Sequence, residues 1–444
     1  MKRTDNQQKF DALREEFSTF TFERQTVRLE NGTLSLAFDF NLDDCYHFSP
    51  TLEIPSRPFF DWDGLPKDRL EALAFQIGMT ELVSYWKIAC PKKVVVKPFA
   101  LTERQISFWK KLYYNGLGEF LYLNGITVSE AELMRIETLP IDSNRTVAAR
   151  NDMDSSWFEE KTLVPIGGGK DSVVTLECLR GKMPVIPLIV NPRGATLNCV
   201  KTAGYKENDY IVINRTLDPM MLKLNAEGCL NGHTPFSALL AFISVLVAFG
   251  SRSKYIALSN ENSANEATVP GTNINHQYSK SIGFERDFRN YVAENLSDKV
   301  QYFSFLRPLS ELQIASLFAQ CEAYHPVFRS CNAGSKTDSW CGHCPKCLFT
   351  WIILSPFLSK EKLVAIFGKD LMADESLRPV YEELNGTAAV KPFECVGTVE
   401  EVRACINAVE HQDFTEVKAI LNRFNPEHFL PEQFEQILKS RLYV

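Results

Sequence analysis

The residues with the clearest chemical potential lie in a glycine-rich loop within residues 161–177. A short apolar run leads into three consecutive glycines, Gly167–Gly169, and a segment able to form a helix follows them. Glycines let backbone N–H groups approach an anion without an obstructing Cβ, and a helix start adds N–H donors and a positive dipole end. Lys170 can supply a charge, Ser172 a hydroxyl, and Asp171 can orient the turn or hold Mg²⁺. The pattern predicts a phosphate-binding loop.

Four of the twelve cysteines are spaced as metal ligands. Two overlapping C-x-x-C steps let thiolates converge on one tetrahedral ion, and a nine-residue gap closes a loop back to the fourth ligand. A closed set of four thiolates is typical of a structural site, so we predict structural Zn²⁺. An iron–sulfur cluster and unliganded thiols are the alternatives. The predicted ligands are Cys331, Cys341, Cys344 and Cys347.

The segments around the glycine loop alternate between strand and helix. This alternation is typical of an α/β domain with an open parallel sheet and helices on both faces. Helices are expected from about Ser172 and Thr234. The candidate strands are Leu163–Ile166, Val185–Val190, Tyr210–Ile213 and Tyr255–Ser259.

Polar residues follow three of these candidate strands. The glycine loop follows the first strand, Asn191 and Arg193 follow the second, and Asn260–Glu266 follows the fourth. Ligands of open parallel sheets bind at the carboxyl ends of the strands. We therefore predict a cleft for a nucleotide and a substrate there, with Asn191 and Arg193 among the nucleotide-binding residues.

The pattern along the chain predicts three parts. Residues 1–155 read as an α+β domain, with a strand pair in 20–40, and end in a polar linker, Ile141–Ser156. Residues 156–330 form the predicted phosphate-binding domain. Residues 331–444 contain the cysteine cluster, followed by a helical subdomain.

Composition limits the classes of partner. The 444 residues are 45% hydrophobic, which is enough for buried cores, and the net charge of −7 gives no basic field for nucleic acid. No signal peptide is apparent, and the apolar run 236–249 is better explained as a buried helix than as a membrane span. We expect a soluble, cytoplasmic protein with no nucleic acid or membrane partner. The oligomeric state is not predicted.

The glycine loop resembles the S-G-G-x-D-S loop of the PP-loop ATP pyrophosphatases. Its glycine–lysine spacing differs from that of a Walker loop, and it lacks the three spaced glycines of the dinucleotide-binding fingerprint. Gly167 stands where that family usually has serine, so one hydroxyl contact is missing. The resemblance implies that ATP, with Mg²⁺, is split into AMP and pyrophosphate. The cysteine spacing resembles the zinc site of 7-cyano-7-deazaguanine synthase, another PP-loop enzyme.

Several further segments together resemble the UDP-N-acetylmuramoyl-L-alanyl-L-glutamate epimerases of peptidoglycan synthesis. They extend over most of the chain, although each is weakly specific alone. The resemblance implies ATP- and Mg²⁺-dependent inversion of the terminal L-Glu of the UDP-linked dipeptide to D-Glu. The segments are Leu82–Pro91, Gly116–Gly125, Pro165–Glu177, Asn191–Thr196, Trp340–Cys347 and Lys391–Gly397.

This chemistry requires groups that move a proton at the glutamate Cα. Adenylation removes the charge of the neighbouring carboxylate, and the Cα carbanion can then delocalise. The candidate bases are Lys170, His233, Glu261 and His276, and Asp171 completes the predicted catalytic set. For each candidate, an ordinary hydrogen-bonding role is the alternative to catalysis. His233 directly precedes a predicted helix start at Thr234, so a role in capping that helix is its alternative.

Three other functions fit parts of the sequence. A ligase of the deazaguanine type would share the loop and the cysteines, and its product would depend on ammonia. A tRNA-thiolating enzyme is disfavoured by the acidic composition, and its tRNA binding would weaken steeply with salt. A regulatory module would bind ATP without releasing pyrophosphate, and the intact Gly167–Ser172 loop disfavours it.

Overall fold

The computed structural model describes residues 3–140, 146 and 155–442. Most of the predicted linker, Ile141–Ser156, therefore lies outside the described residues. The strands are β1 Thr19–Glu30, β2 Thr33–Leu42, β3 Tyr46–Phe48, β4 Thr51–Ile54, β5 Lys93–Val96, β6 Arg135–Thr138, β7 Glu159–Pro165, β8 Val185–Val190, β9 Ile211–Thr216, β10 Ser253–Leu258 and β11 Gln301–Ser304.

Helices account for much of the remaining described chain. Among the described residues, no helix is long and apolar enough to cross a membrane. The helices are α1 Gln7–Glu16, α2 Lys67–Trp86, α3 Glu103–Gly116, α4 Gly118–Leu123, α5 Glu130–Leu133, α6 Lys170–Leu179, α7 Gly194–Thr202, α8 Pro219–Ala226, α9 Phe236–Gly250, α10 Ile282–Asn295, α11 Glu311–Ala319, α12 Pro345–Leu354, α13 Lys360–Phe367, α14 Arg378–Leu384, α15 Val399–Glu410, α16 Thr415–Leu421 and α17 Glu432–Leu442.

The chain divides into two compact units that each use separated segments. The first unit consists of Met1–Glu159, Val212–Lys254 and Gly283–Gln301. The second unit consists of Glu160–Ile211, Tyr255–Ile282 and Tyr302–Val444. This division follows contacts between residues, whereas the three consecutive parts described above follow the pattern along the chain and stay a prediction.

The first unit is built on the predicted pair of long strands. β1 and β2 pair antiparallel through a turn at Asn31 and Gly32, which both have positive φ. β5 pairs parallel with β1, and β4 pairs antiparallel with β2. The long helix α2 contacts β1 and the apolar helix α9. Most of α2 is buried because it is apolar around much of its circumference.

The second unit contains the predicted alternation of strands and helices. β7 and β8 pair in parallel, with Leu163 opposite Ile186, and α6 connects them. The strand order is β11-β10-β7-β8. The inner parts of β7 and β8 are short apolar runs buried on both faces, as is usual for parallel strands. The chain is therefore a mixed α/β protein, as the pattern predicted.

The helix starts differ slightly from those predicted. α6 begins at Lys170, two residues before Ser172, because Gly169 takes the extended N-cap conformation directly after the turn. α9 begins at Phe236 rather than Thr234, because Pro235 occupies its N-cap position. The first of these shifts brings Lys170 and Asp171 into the first helical turn, which bears directly on the site.

Candidate active site and cysteine cluster

The glycine loop is the turn from β7 into α6 in the second unit. Gly169 is the N-cap of α6, and no described side chain caps this helix end. The first N–H groups of a helix have no partner within it and carry the positive end of the dipole. Ser172 donates its hydroxyl hydrogen bond back to Gly169 O over 3.0 Å, which tightens the turn. The loop thus has the donors of an anion site.

The three glycines have different structural requirements. Gly168 has φ +82°, and a Cβ there would lie 3.0 Å from atoms of Ala195. A Cβ on Gly169 would lie 2.8 Å from the hydroxyl of Ser330. Gly167 is exposed and has nothing within 4 Å of its Cβ position. A ligand can therefore reach the backbone at Gly167, whereas the chain itself occupies the space beside the other two.

Lys170 is buried between two carboxylates. Its Nζ donates to Asp171 over 2.5 Å and also pairs with Glu311 at the start of α11. Burial alone lowers the pKa of Lys170, but the attraction of Asp171 and Glu311 outweighs it and raises that pKa. Lys170 is therefore protonated at neutral pH. A protonated lysine can neutralise the charge of a phosphate, whereas it cannot accept a proton as a base.

Glu311 is a buried carboxyl in an acidic neighbourhood. Burial raises the pKa of Glu311 well above its ordinary value, Lys170 opposes this effect, and the charges of Asp171 and Glu261 add to it. Repulsion among three carboxylates would be relieved by a further cation. Such a group of oxygen ligands has the chemistry that Mg²⁺ prefers.

Glu261 follows the end of β10 and is buried. Its role as a base stays a prediction. The hydroxyl of Ser263 donates to its carboxylate over 2.7 Å. Arg307, which is fully buried, donates to Glu261 O over 2.6 Å and also to Lys280 O. One guanidinium thus holds the backbone of two segments, and Glu261 and Lys280 are fixed relative to each other.

The two candidate histidines belong to different units. In the first unit, His233 Nδ1 lies 3.5 Å from the buried carboxylate of Glu119. In the second unit, the backbone N–H of His276 donates to Thr268 over 3.0 Å. The side chain of His276 makes a hydrogen bond with Cys395.

Asn191 and Arg193 lie at the carboxyl end of β8. Asn191 has φ +52°, a conformation that asparagine tolerates better than most residues. Arg193 is the N-cap of α7, where its backbone N–H donates to the hydroxyl of Thr196 over 2.9 Å. Both residues are exposed at the predicted strand end. Their binding of a nucleotide stays a prediction.

The four predicted cysteine ligands come together. Their sulfur atoms all lie within 4.8 Å of one another. The Cys331–Cys344 and Cys341–Cys347 Sγ distances are both 3.7 Å, and the Cys344–Cys347 distance is 3.5 Å. Four sulfurs about 2.3 Å from one tetrahedral zinc would be about 3.8 Å apart. The cluster therefore fits such an ion.

The segment that leads into the cysteine cluster packs against the glycine loop. The backbone N–H of Arg329 donates to Gly168 O over 2.8 Å, and Ser330 fills the space beside Gly169. Asp338 lies where a Cβ on Gly194 would be, only 2.4 Å from that position. The cluster thus connects structurally to both loops that were predicted to bind nucleotide.

Comparison with known sequences decides the family. A sequence model of the MurL N-terminal domain matches residues 11–305, and a model of the MurL C-terminal domain matches residues 327–436. The chain belongs to the MurL family. The predicted resemblance to this epimerase family is therefore confirmed.

Three curated MurL-type relatives carry the name UDP-N-acetyl-alpha-D-muramoyl-L-alanyl-L-glutamate epimerase. The one from Micromonospora sp. is 36% identical over 407 residues, which are 89% of this chain and 87% of the relative. The one from Xanthomonas oryzae pv. oryzae is 32% identical over 92% of this chain and 89% of the relative. The one from Salinispora tropica is 34% identical over 88% of this chain and 85% of the relative. No solved structure matches the chain.

Three residues of the candidate site were missed by reasoning from sequence. Glu311 pairs with Lys170 across 141 residues of chain, and Lys280 contacts Cys395 across 115. Glu311 opens a helix behind the capping residue Ser310, so its sequence context indicates only a helix start. Cys395 lies in the segment Lys391–Gly397, which resembles the epimerase family, but no function was predicted for this cysteine. No local spacing connects these residues.

Proposed function

We propose that this protein inverts the terminal L-Glu of UDP-N-acetylmuramoyl-L-alanyl-L-glutamate to D-Glu during synthesis of peptidoglycan precursors. The observation that carries the proposal is the 32–36% identity, over about nine-tenths of the chain, to relatives named as this epimerase. The two family models match residues 11–305 and 327–436, so the proposal does not depend on the glycine loop alone.

We further propose that inversion proceeds through an acyl-adenylate and requires ATP. The Cα–H bond beside a carboxylate anion is very weakly acidic, because its carbanion would add to an existing negative charge. Adenylation removes that charge, and pyrophosphate leaves. The donors at the start of α6 and the protonated Lys170 support this step, since both stabilise negative charge that develops on phosphate. Gly167–Ser172, with Asn191 and Arg193, would form the ATP site in a PP-loop fold.

Mg²⁺ would neutralise phosphate charge and polarise the phosphate oxygens when bound. Asp171 is our candidate ligand, and Glu261 and Glu311 are its acidic neighbours. The upward shift in the pKa of Glu311 comes first from burial, and the charges of Asp171 and Glu261 add to it. The proximity of these three acidic groups supports the proposal, because a cation would reduce their repulsion.

We propose a structural role for the cysteine cluster. Cys331, Cys341, Cys344 and Cys347 would hold Zn²⁺ as a closed set of four ligands, which leaves no position for substrate. The ion would keep the segment at Arg329 and Ser330 against the glycine loop. We also propose that the chain has the three consecutive domains 1–155, 156–330 and 331–444. The cysteine cluster lies at the start of the third domain.

The deciding experiment is incubation with UDP-N-acetylmuramoyl-L-alanyl-L-glutamate, ATP and Mg²⁺ in D₂O. We expect AMP, pyrophosphate, D-Glu and deuterium at the glutamate Cα. Omission of ATP should abolish inversion. AMP release without inversion would contradict the epimerase and favour another adenylating enzyme; a product that requires ammonia would identify the ligase alternative. Inversion without ATP would contradict the adenylate.

A further inference from the structure

Cys395 lies among positively charged side chains of the second unit. Lys280 Nζ donates to its Sγ over 3.1 Å, and the side chain of His276 makes a hydrogen bond with the same sulfur. Cys395 as a residue is partly exposed, whereas its thiol is buried among these charged side chains. Reactive cysteines are found in such partly exposed, electropositive surroundings.

The charges around Cys395 stabilise its thiolate. Burial alone raises its pKa, but Lys280, Lys346 and His276 outweigh burial and lower the pKa to about 5. Burial also lowers the pKa of Lys280, yet Cys395 and Glu261 reverse this effect and raise it. The two groups therefore form an ion pair at neutral pH. By contrast, partial burial raises the pKa of the Cys321 thiol to about 11.

Lys280 connects this thiolate to the phosphate-binding residues. The charges of Glu261 and Asp171 also act on Lys280, and Arg307 fixes its backbone to that of Glu261. A glutamyl group adenylated at the glycine loop has its Cα one bond from the adenylated carbon. A base for that Cα must therefore lie close to the loop. The charge of Asp171 acts on Lys280, so the Lys280–Cys395 pair is the thiol-containing group that the described contacts connect to this loop.

We propose that Cys395 is a catalytic base that removes or returns the Cα proton of the glutamyl residue. This assignment rests on the proposed function and identifies one of its proton-transfer groups. Lys280 and His276 act on it as positioning residues. Cys395 lies outside the four-sulfur cluster, which is complete without it.

The proton and electrons balance in this step. The Cα–H bond breaks, the thiolate forms an S–H bond, and the electron pair delocalises into the neighbouring acyl carbonyl. A proton supplied by water or a protonated side chain then forms a C–H bond on the opposite face. The thiol loses its proton to solvent, so one proton is taken up and one is released.

The experiment compares Cys395→Ser and Cys395→Ala with Cys321→Ala, a matched control from a partly exposed cysteine of the same unit. Adenylation is measured as dipeptide-dependent exchange of labelled pyrophosphate into ATP. Proton transfer is measured as deuterium incorporation at Cα and as D-Glu formation. Thermal unfolding checks that each variant folds.

We expect both Cys395 variants to lose at least about 100-fold in deuterium exchange and inversion, the usual contribution of a positioned base or acid. Pyrophosphate exchange should stay within about threefold of the parent protein, and Cys321→Ala should match the parent in every assay. Serine has nearly the shape of cysteine but is a far weaker acid, so a structural role predicts rescue by serine and a proton-transfer role does not.

Three results would overturn the assignment. Inversion by Cys395→Ser at the parental rate would exclude the base. Equal loss of pyrophosphate exchange and inversion would place Cys395 in adenylation or folding. A glutamyl thioester trapped on Cys395 and seen by mass spectrometry would make it a nucleophile instead. Failure of the parent protein to invert the substrate would refute the proposed function itself, which is a distinguishable outcome.

Discussion

The glycine loop and the Lys280–Cys395 pair differ in how the chain assembles them. Gly167–Ser172 is one continuous stretch, and its donors follow from the turn and the helix start alone. Lys280 and Cys395 are 115 residues apart and meet only when the second unit has folded. A continuous site can be recognised from residue types and spacing, whereas an assembled site has no local signature.

The cysteine cluster lies between these extremes. Its three closely spaced ligands, Cys341, Cys344 and Cys347, are local, and Cys331 closes the set from 13 residues before Cys344. All four were predicted, because metal coordination limits the spacings that work. Four predictions test how sharply the continuous and the assembled sites differ.

The largest effect is expected from Cys347→Ala. Structural zinc can contribute roughly 10 kcal/mol to the folding of a small metal-dependent domain. The variant should therefore lose its zinc, measured by elemental analysis, together with several degrees in Tm and most pyrophosphate exchange. Cys321→Ala, which leaves the cluster intact, should keep one zinc per chain. A parent protein without zinc or iron would refute the metal site.

Lys170→Met should nearly abolish adenylation and should also lower the free energy of unfolding. Loss of a charge that stabilises the transition state typically reduces the rate by about 10²–10³-fold. The variant also leaves Glu311 buried and unpaired, which should reduce the free energy of unfolding by about 3–5 kcal/mol. Pyrophosphate exchange and urea unfolding measure the two effects.

The double variant Lys170→Met/Glu311→Gln separates these effects. It removes the unpaired charge, so most of the stability should return while exchange stays lost. Recovery of exchange in the double variant would show that Lys170 serves folding rather than phosphate.

Gly168→Ala and Gly167→Ser should differ although they are neighbours. Alanine at 168 must adopt φ +82° with its Cβ 3.0 Å from Ala195, so the loop must move. Small misplacement in an active site can reduce the rate by about 10²-fold, and we expect a loss approaching that in pyrophosphate exchange. Serine at 167 enters open space, so exchange should be kept and the KM for ATP should not rise. Equal losses would mean that the loop tolerates no side chain at all.

The smallest change is expected in the pH dependence of alkylation at Cys395. Its pKa of about 5 keeps it a thiolate from pH 6 to pH 8, so its rate with iodoacetamide should vary by less than about threefold. The charged groups that act on it are Lys280, Lys346, His276 and Glu394. Cys321 has a pKa raised to about 11, so its own alkylation rate should increase about tenfold for each unit that the pH rises in this range. Peptide mass spectrometry distinguishes the two sites, and parallel pH profiles would contradict the ion pair with Lys280.

Much of the secondary structure could be predicted from local patterns. The β1–β2 pair and the strand at Val185–Val190 match the expectations, because each has a clear period or apolar run. Helix starts shifted by two residues where Gly169 and Pro235 took the N-cap positions. The grouping into units was not predictable from patterns, since Val212–Lys254 and Gly283–Gln301 join the N-terminal segment through contacts distant in sequence.

The sequence by itself determined the chemistry of the continuous sites. The types and spacing of Gly167–Ser172 and of the four cysteines limit what backbone and thiolates can bind, wherever the rest of the chain lies. The tertiary structure alone decided which charges surround them. Folding brings Glu311 next to Lys170 and Lys280 next to Cys395. In a low-dielectric interior such pairings set protonation states, and no local pattern encodes them.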